Sequence, residues 1–170
     1  MTLQELTHIA SQLQTILAEM QRPRSKTLGS ITGKRYDNCF FPPHVLPSHA
    51  FSSYSEFIDM YRYILLHFCT EKFTEDLLSK LPRHAPIRFA HADLLPRNIM
   101  VDGTTITAVI DWATAGFWPG YWEYCRMHNP EWASPGWDRV LGLVFPEERR
   151  SEEIKAACYL NRIVMDYFWV

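Results

Sequence analysis

The first twenty residues carry apolar side chains at the spacing of a helix that buries one face. Leucine, isoleucine and methionine recur every three or four positions, at residues 3, 6, 9, 13, 16, 17 and 20. At the start of this pattern, Thr2 and Glu5 have the spacing of a capping box, in which each side chain accepts the backbone N–H of the other residue. The pattern therefore predicts a helix over residues 2–20.

Three further stretches have helical spacing. Ser53 and Glu56 offer a second capping box, and the apolar residues after it recur at helical intervals, at positions 57, 61, 64, 65 and 68. A short helix is predicted over residues 75–81, where Pro82 helps to end it. A last helix is predicted over residues 151–168, with five residues facing inward: Ile154, Ala157, Cys158, Leu160 and Ile163.

The middle of the chain changes to strand-like patterns. Residues 87–91 predict one strand, and two β-rich runs, 98–101 and 106–110, flank an Asp-Gly pair. An Asp-Gly pair between such runs favours a hairpin, because both residues tolerate positive φ. The predicted register pairs Val101 with Ile106.

Two segments are predicted to be loops. Glycine and proline interrupt residues 21–52, and residues 117–122 form an aromatic stretch between the hairpin and the last part of the chain. Aromatic residues make up 14% of the chain, which suggests thick cores or stacking pockets. We expect packing rather than a substrate cage for five of them: Trp112, Phe117, Trp118, Tyr121 and Trp122.

Composition and charge restrict the class of protein. Hydrophobic residues make up 47% of the 170 residues, which predicts one globular domain over residues 1–170. The predicted helices and hairpin place this domain in the α+β class, mainly helical. A net charge of -2 without a basic stripe argues against nucleic-acid binding. No apolar run is long enough to span a membrane, so we expect a cytoplasmic protein. The four cysteines form no CxxC pair, so we expect reduced thiols and no zinc site.

Three polar residues converge at the open end of the predicted hairpin. The register places Asn98 near Val109, and therefore Asp111 beside Asn98, with Asp93 a few residues before them. Carboxylate and amide oxygens are hard ligands suited to Mg²⁺. A carboxylate can also take the proton of a substrate hydroxyl or orient the hydroxyl for attack. The arrangement is typical of phosphoryl transfer, in which catalysis consists mostly of positioning and charge neutralisation.

The motifs resemble those of a known family. Residues 91–98 (HADLLPRN) and 109–112 (VIDW) are similar to the catalytic loop and metal-binding motif of the aminoglycoside phosphotransferase (APH)/choline kinase-like family. Protein kinases carry Asp-Phe-Gly in place of Ile-Asp-Trp. Residues 96–102 and 118–124 resemble fungal members, and the resemblance extends to about residue 166. It implies a kinase-like C-terminal lobe whose small hairpin sheet carries the catalytic loop.

The resemblance also implies a role for each polar residue. Asp93 would be the catalytic base, Asn98 and Asp111 would hold Mg²⁺, and Arg97 would approach the phosphate of ATP or the substrate. His91 would brace the loop through hydrogen bonds, and beside a carboxylate it could also shuttle protons. The implied cofactors are Mg²⁺ and ATP, and the implied substrate is a small molecule with a hydroxyl group.

The sequence departs from the family pattern in three respects. The family usually has Gly where Ala92 stands, and often His where Leu95 stands. Ala92 would be strained if its φ were positive. The N-terminal lobe of the family, with its phosphate-covering loop and phosphate-gripping lysine, has no counterpart in the sequence. We therefore expect weak nucleotide binding by this chain alone, since such pockets bury most of their ligand.

Three functional hypotheses follow from these observations. The first is a small-molecule phosphotransferase whose missing lobe comes from a partner chain or from a part of the gene outside this sequence. The second is a repurposed, ATP-independent enzyme of secondary metabolism, a cyclase or isomerase that uses Asp93 and His91 for acid–base chemistry. The third is a non-catalytic pseudokinase module, a truncated kinase fold that binds a partner or another copy of itself through apolar surface.

Overall fold

The computed structural model describes residues 1–38, 40–41 and 46–168, and its mixture of helices and small antiparallel sheets agrees with the α+β prediction. Cys39 and the predicted loop residues 42–45 lie outside the described residues. The α-helices are α1 (Leu3–Met20), α2 (Tyr54–Leu66), α3 (Glu71–Ser79), α4 (Trp122–Met127), α5 (Pro135–Val144) and α6 (Ser151–Phe168). The strands are β1 (Gly29–Ser30), β2 (Ile87–Ala90), β3 (Ile99–Asp102), β4 (Thr105–Val109) and β5 (Gly116–Pro119).

Helix α1 begins with the predicted capping box. The Thr2 hydroxyl accepts the N–H of Glu5 at 3.3 Å, and the Glu5 carboxylate accepts the N–H of Thr2 at 2.6 Å. One face of the helix is buried, at Ile9, Ala10, Leu13, Leu17 and Met20. The first predicted helix is therefore confirmed, and Leu3 is the member of its apolar pattern that is left exposed.

The second predicted capping box forms only in part. Ser53 accepts the N–H of Glu56 at 3.2 Å, but the Glu56 carboxylate accepts hydrogen bonds from the N–H and hydroxyl of Ser52, at 2.7 and 2.8 Å. The reciprocal bond is therefore shifted by one residue, from Ser53 to Ser52. Helix α3 begins at Glu71, four residues before the predicted start, because Thr70 caps it by accepting the N–H of Phe73.

The aromatic segment after the hairpin is not a loop as predicted. Its first half is β5, the central strand of a three-stranded antiparallel sheet in the order β1-β5-β2. All four residues of β5 are buried, so the strand lacks the alternation of apolar and polar positions by which a half-buried strand is recognised. Gly116 is required at the β1 crossing, because a Cβ there would lie 2.6 Å from the carbonyl oxygen of Gly29.

The aromatic residues of this region mostly pack in the core, as expected. The Trp118 ring lies between those of Tyr36 and Trp122, with ring centroids 4.3 and 5.0 Å away. The Tyr36 hydroxyl donates a hydrogen bond to the carbonyl of Phe117 at 2.6 Å. Trp112 differs from the others because 43% of its surface is exposed.

The β3–β4 hairpin has the predicted turn, and its register is correct near the turn. Val101 pairs with Ile106, and Gly103 has a φ of 58°. A bulge between Met100 and Val101 then shifts the pairing, so Val109 lies opposite Ile99 and not opposite Asn98. Because a bulge adds one residue to one strand, pairs beyond it differ from a regular register by one position.

A second core lies between α1 and α5, and it also supports the hairpin. Helix α5 was not predicted, although Ser134 caps it by accepting the N–H of Trp137 at 3.2 Å. Gln12 of α1 donates its amide N–H to the carbonyl of Thr104 at 2.7 Å and accepts the N–H of Ile106 at 3.0 Å. These two bonds hold the hairpin turn against the helix.

The remaining global predictions concern membranes and cysteines. Among the described helices, none is both long and apolar enough to cross a bilayer. Cys69, Cys125 and Cys158 are free thiols. The extent of a single domain over residues 1–170 stays a prediction.

Candidate functional site

The candidate catalytic loop begins where β2 ends, with a turn that few residues adopt. Ala92 has a φ of 66° and is fully buried. The left-handed region costs a residue with a Cβ roughly 1–2 kcal/mol, which is why glycine is favoured there. Ala92 is therefore a strained residue. The sequence analysis expected this strain if the φ of Ala92 were positive. The turn directs the next residue, Asp93, toward the open end of the hairpin.

The Asp93 carboxylate is buried and held by three donors. Its Oδ1 accepts a hydrogen bond from Arg126 at 2.9 Å, and its Oδ2 accepts from Arg97 at 2.7 Å and from the Asn98 amide at 3.0 Å. A polar group is costly to bury without such partners. These contacts fix the orientation of the group that the sequence identifies as the candidate base.

Asn98 links the catalytic loop to the second motif. Its Nδ2 donates to the carbonyl of Asp93 at 2.7 Å as well as to the carboxylate, which leaves Oδ1 as the ligand atom of the amide. Its own carbonyl accepts the N–H of Ile110 at 2.9 Å. Asp111 directly follows the residue bonded to Asn98, so the backbones of the two residues are neighbours at the open end of the hairpin.

Asp111 is exposed and lies in the left-handed region, with a φ of 61°. This conformation turns the chain sharply out of β4 and into a short 3-10 helix, Trp112–Thr114. Asp93 and Asp111 line one cavity. Left-handed backbone is enriched in Asp and Asn, and such outliers concentrate at functional sites.

The donor set fits a magnesium ion that also binds phosphate. Within the described part of the chain, no cluster of three His, Cys, Asp or Glu side chains forms a cage for a metal. Mg²⁺ rarely uses such a cage, and is commonly bound through one or two protein oxygens, with water and substrate phosphates completing six ligands. The Asp111 carboxylate and Asn98 Oδ1 are oxygens of this kind, and their role as magnesium ligands stays a prediction.

His91 braces the loop from beneath. Its Nε2 lies 3.0 Å from the carbonyl of Ile110, and its Nδ1 lies 3.3 Å from the N–H of Asp93. The carbonyl can only accept, so Nε2 carries the proton and Nδ1 accepts. Burial lowers the pKa of His91, against the opposing effects of the Ile110 carbonyl and of the Asp93 and Asp111 charges. His91 is therefore a neutral imidazole with both nitrogens in use.

Glu123 organises the loop from the opposite side. One carboxylate oxygen accepts the N–H of His91 at 2.5 Å and that of Ala92 at 3.1 Å, while the other oxygen is buried without a partner among the described residues. Burial raises the pKa of Glu123 to about 7, although the N–H groups of Ala92, His91 and Leu94 and the charge of Arg126 oppose this rise. The sequence analysis did not assign Glu123 to the site.

Arg126 is a second residue that the sequence analysis missed. Its side chain is only 6% exposed, and it donates both to Asp93 and, through Nε, to the carbonyl of Ala92 at 3.1 Å. A usable signal exists in the sequence of α4, WEYCRM, where two charged residues three positions apart interrupt an apolar run. Charged residues are almost never fully buried unless paired, so such an interruption indicates a buried partner.

The loop borders a cavity of about 690 Å³ between the candidate residues and α6. Asp93, Arg97 and Asp111 line one side, and aromatic residues Phe40, Trp132 and Tyr159 contribute to its walls. The size suits a small-molecule ligand. A larger surface depression of about 950 Å³ lies along the first turns of α1 and contains none of the predicted site residues. We therefore assign the chemistry to the cavity beside Asp93.

Comparison with known proteins identifies the region that carries this site. A model of the phosphotransferase enzyme family matches residues 53–147, more than half of the chain. The matched region includes the loop 91–98, Asp111, Glu123 and Arg126. A search of the curated proteins finds no match.

Proposed function

This chain belongs to the phosphotransferase enzyme family, and on that basis we propose that it transfers the γ-phosphoryl group of Mg-ATP to a hydroxyl of a small molecule. The observation that carries this proposal is that Asp93 and Asp111 line one cavity, while Asn98 is hydrogen-bonded to the Asp93 carboxylate. Asp93 is buried and Asp111 is exposed. Phosphoryl transfer requires an oriented hydroxyl and an oxygen-ligated metal near the phosphates. These three residues provide both.

In the proposed reaction, the substrate hydroxyl donates a hydrogen bond to the Asp93 carboxylate. The hydroxyl oxygen forms a bond to the γ-phosphorus, and the bond from this phosphorus to the bridging oxygen of ADP breaks. The hydroxyl proton passes to Asp93 and then to solvent. Asn98 and Asp111 would hold Mg²⁺, which neutralises phosphate charge when bound.

The rest of the site holds these groups in place. Arg126 and Asn98 keep the Asp93 carboxylate in one orientation through hydrogen bonds of 2.9 and 3.0 Å. Glu123 and His91 fix the backbone on either side of the strained turn. Such preorganisation matters because a displacement of about 1 Å at a catalytic group can reduce the rate about 100-fold.

The test is a calorimetric titration of Mg-ATP into the purified chain. We expect binding to be lost in Asp111→Ala and retained in Asp76→Ala, which removes an exposed carboxylate of α3 outside the cavity. Binding that survives in Asp111→Ala, or no binding by the unaltered chain up to millimolar nucleotide, would refute the proposal. A subsequent screen of hydroxyl compounds would follow ADP release, with Asp93→Asn as the inactive control.

The two other hypotheses have weaker support. Acid–base chemistry without ATP would rest on Asp93, because both ring nitrogens of His91 already bond to the backbone. Association through apolar surface stays a prediction. Its motivation is a group of half-exposed apolar side chains on and beside the hairpin, at Met100, Val101, Ile110 and Trp112.

A further inference from the structure

The three donors that hold Asp93 differ in how easily they can leave. The Arg126 side chain is 6% exposed and also bonds to the loop backbone, and Asn98 is buried in the loop itself. The Arg97 side chain is 46% exposed, and a hydrogen bond to Asp93 Oδ2 joins it to the loop. Only Arg97 could therefore move without disturbing the buried structure around Asp93.

Arg97 has a second contact that holds it at the edge of the cavity. Its guanidinium carbon lies 4.3 Å from the ring centroid of Trp132, in a cation–π contact. Trp132 is 37% exposed and lines the same cavity as Arg97, Asp93 and Asp111. A guanidinium resting on an exposed indole can rotate about its long side chain and keep this apolar support.

The present contacts also limit what Asp93 can do. A carboxylate oxygen has about two lone-pair sites, and the donors Arg97 and Asn98 already occupy those of Asp93 Oδ2. A substrate hydroxyl that must bond to Asp93 from the cavity competes with the Arg97 guanidinium for Oδ2. Movement of Arg97 would free one acceptor position at the place where the hydroxyl enters.

A phosphate group in the cavity gives Arg97 an alternative partner. The planar guanidinium matches the geometry of phosphate oxygens and forms strong, charge-assisted pairs with them. Arg97 and the candidate metal ligand Asp111 face the same cavity, so a phosphate near the metal is within the region that Arg97 borders. The Arg97 side of its pair with Asp93 is half-exposed, so solvent partly screens this pair.

We propose that Arg97 is a specificity-determining switch residue that exchanges Asp93 for an anionic phosphate oxygen when ligand binds, and thereby exposes Asp93 to the acceptor hydroxyl. This inference rests on the proposed phosphotransferase function and adds to it a coupling between phosphate recognition and access to the base. The phosphate belongs either to the nucleotide, as its γ-phosphate, or to an acceptor substrate that is itself anionic.

The test compares Arg97→Gln with a matched control that removes the same charge elsewhere. Arg83→Gln serves as control, because Arg83 is exposed and does not line the cavity. Calorimetry would measure the affinity of both variants and of the unaltered chain for Mg-ATP, Mg-ADP and inorganic phosphate. Loss of a charged hydrogen bond should weaken binding roughly 10- to 100-fold. Circular dichroism would confirm that each variant is folded.

The pattern of losses identifies the source of the phosphate. If Arg97→Gln weakens Mg-ATP and leaves Mg-ADP unchanged, Arg97 binds the γ-phosphate. If only the affinity for inorganic phosphate falls, Arg97 binds an anionic acceptor. Equal affinities of Arg97→Gln and the unaltered chain for all three ligands would overturn this inference while the phosphotransferase proposal survives. Absence of Mg-ATP binding by the unaltered chain would instead refute the phosphotransferase proposal, and this inference with it.

Trp132 provides a readout of the movement itself. Movement of the guanidinium against the indole should change the fluorescence of Trp132 on addition of the ligand that binds. The change should disappear in Trp132→Phe, which keeps an aromatic support for Arg97, and in Arg97→Gln, and it should persist in Arg83→Gln. A fluorescence change of unaltered size in Arg97→Gln would contradict the exchange of partners.

Discussion

The Arg126 guanidinium lies 2.9 Å from Oδ1 of Asp93, and both side chains are almost fully buried. The two residues are 33 positions apart along the chain. Arg126 also bonds to the carbonyl of Ala92, so one side chain ties α4 to the strained turn and to the candidate base at once. This ion pair therefore affects both the stability of the loop and the orientation of the candidate base.

Replacement of Arg126 by methionine should therefore destabilise the fold. Arg126→Met leaves Asp93 with one fewer cation in a buried site, and breaking such a pair costs about 3–5 kcal/mol. Arg126→Lys should cost less, because it keeps the charge and loses the forked geometry. Urea denaturation of the three proteins measures the difference, and a free energy of unfolding for Arg126→Met equal to that of the unaltered chain would contradict the prediction.

Ala92→Gly should reduce the stability of the fold less than Ala90→Gly does. Both Ala92 and Ala90 are buried, but only Ala92 has a positive φ. Each substitution removes a buried methyl group and adds backbone freedom, whereas Ala92→Gly also relieves strain of about 1–2 kcal/mol. We expect Ala92→Gly to be more stable than Ala90→Gly by about this amount in thermal or urea unfolding. Equal losses at the two positions would show that the turn is not strained.

Glu123 should make the stability of the fold depend on pH. Burial raises its pKa in the folded state to about 7, from 4.5. Between these pH values the folded protein therefore binds more protons at Glu123 than the unfolded chain does. The contribution of Glu123 to stability is therefore greatest below about pH 4.5 and is lost as pH rises through 7. The contribution is on the order of 3 kcal/mol.

Comparison with Glu123→Gln isolates this contribution. The amide oxygen of glutamine can still accept the N–H groups of His91 and Ala92, but the side chain does not titrate. As pH rises across this range, the unaltered chain should lose unfolding free energy relative to Glu123→Gln. The comparison should therefore favour the variant most at high pH. Glu147→Gln, at an exposed position, should show no such trend. A constant difference for Glu123→Gln would disprove the assignment.

Gln12 should control the local stability of the hairpin turn. Gln12→Ala removes the two bonds to Thr104 and Ile106, and loss of each is expected to cost about 1 kcal/mol. Amide hydrogen exchange at Ile106 should become faster. Gln4→Ala, at an exposed position of the same helix, is the control, and unchanged exchange at Ile106 in Gln12→Ala would contradict the role of Gln12.

Local sequence patterns predicted those parts of the fold that depend on neighbouring residues. The helix spacing and capping box of α1 predicted its start, and the Asp-Gly pair predicted the hairpin turn, because caps and turns involve atoms only a few residues apart. The bulge between Met100 and Val101 was not predictable in this way. It depends on how the strands pack, and the local sequence around it carries no distinguishing signal.

The strand β5 also could not be predicted from the local sequence. Its four residues are all buried because β1 and β2 pair with it on both sides, and a fully buried strand has no alternating pattern to recognise. The residues that pair with it lie far away along the chain. Only the assembled sheet distinguishes this strand from an aromatic loop.

The sequence by itself determined the candidate chemistry of the site. Asp93, Asn98 and Asp111 lie on a single loop and hairpin, so their spacing alone was enough to bring them together. The tertiary structure alone decided what surrounds them. Glu123 and Arg126 reach the loop from α4, and burial decides that Arg126 pairs with Asp93 and that Glu123 holds the loop backbone. The partners in such contacts are hard to identify from the sequence, because the energy of each contact depends on burial and distance in the folded state.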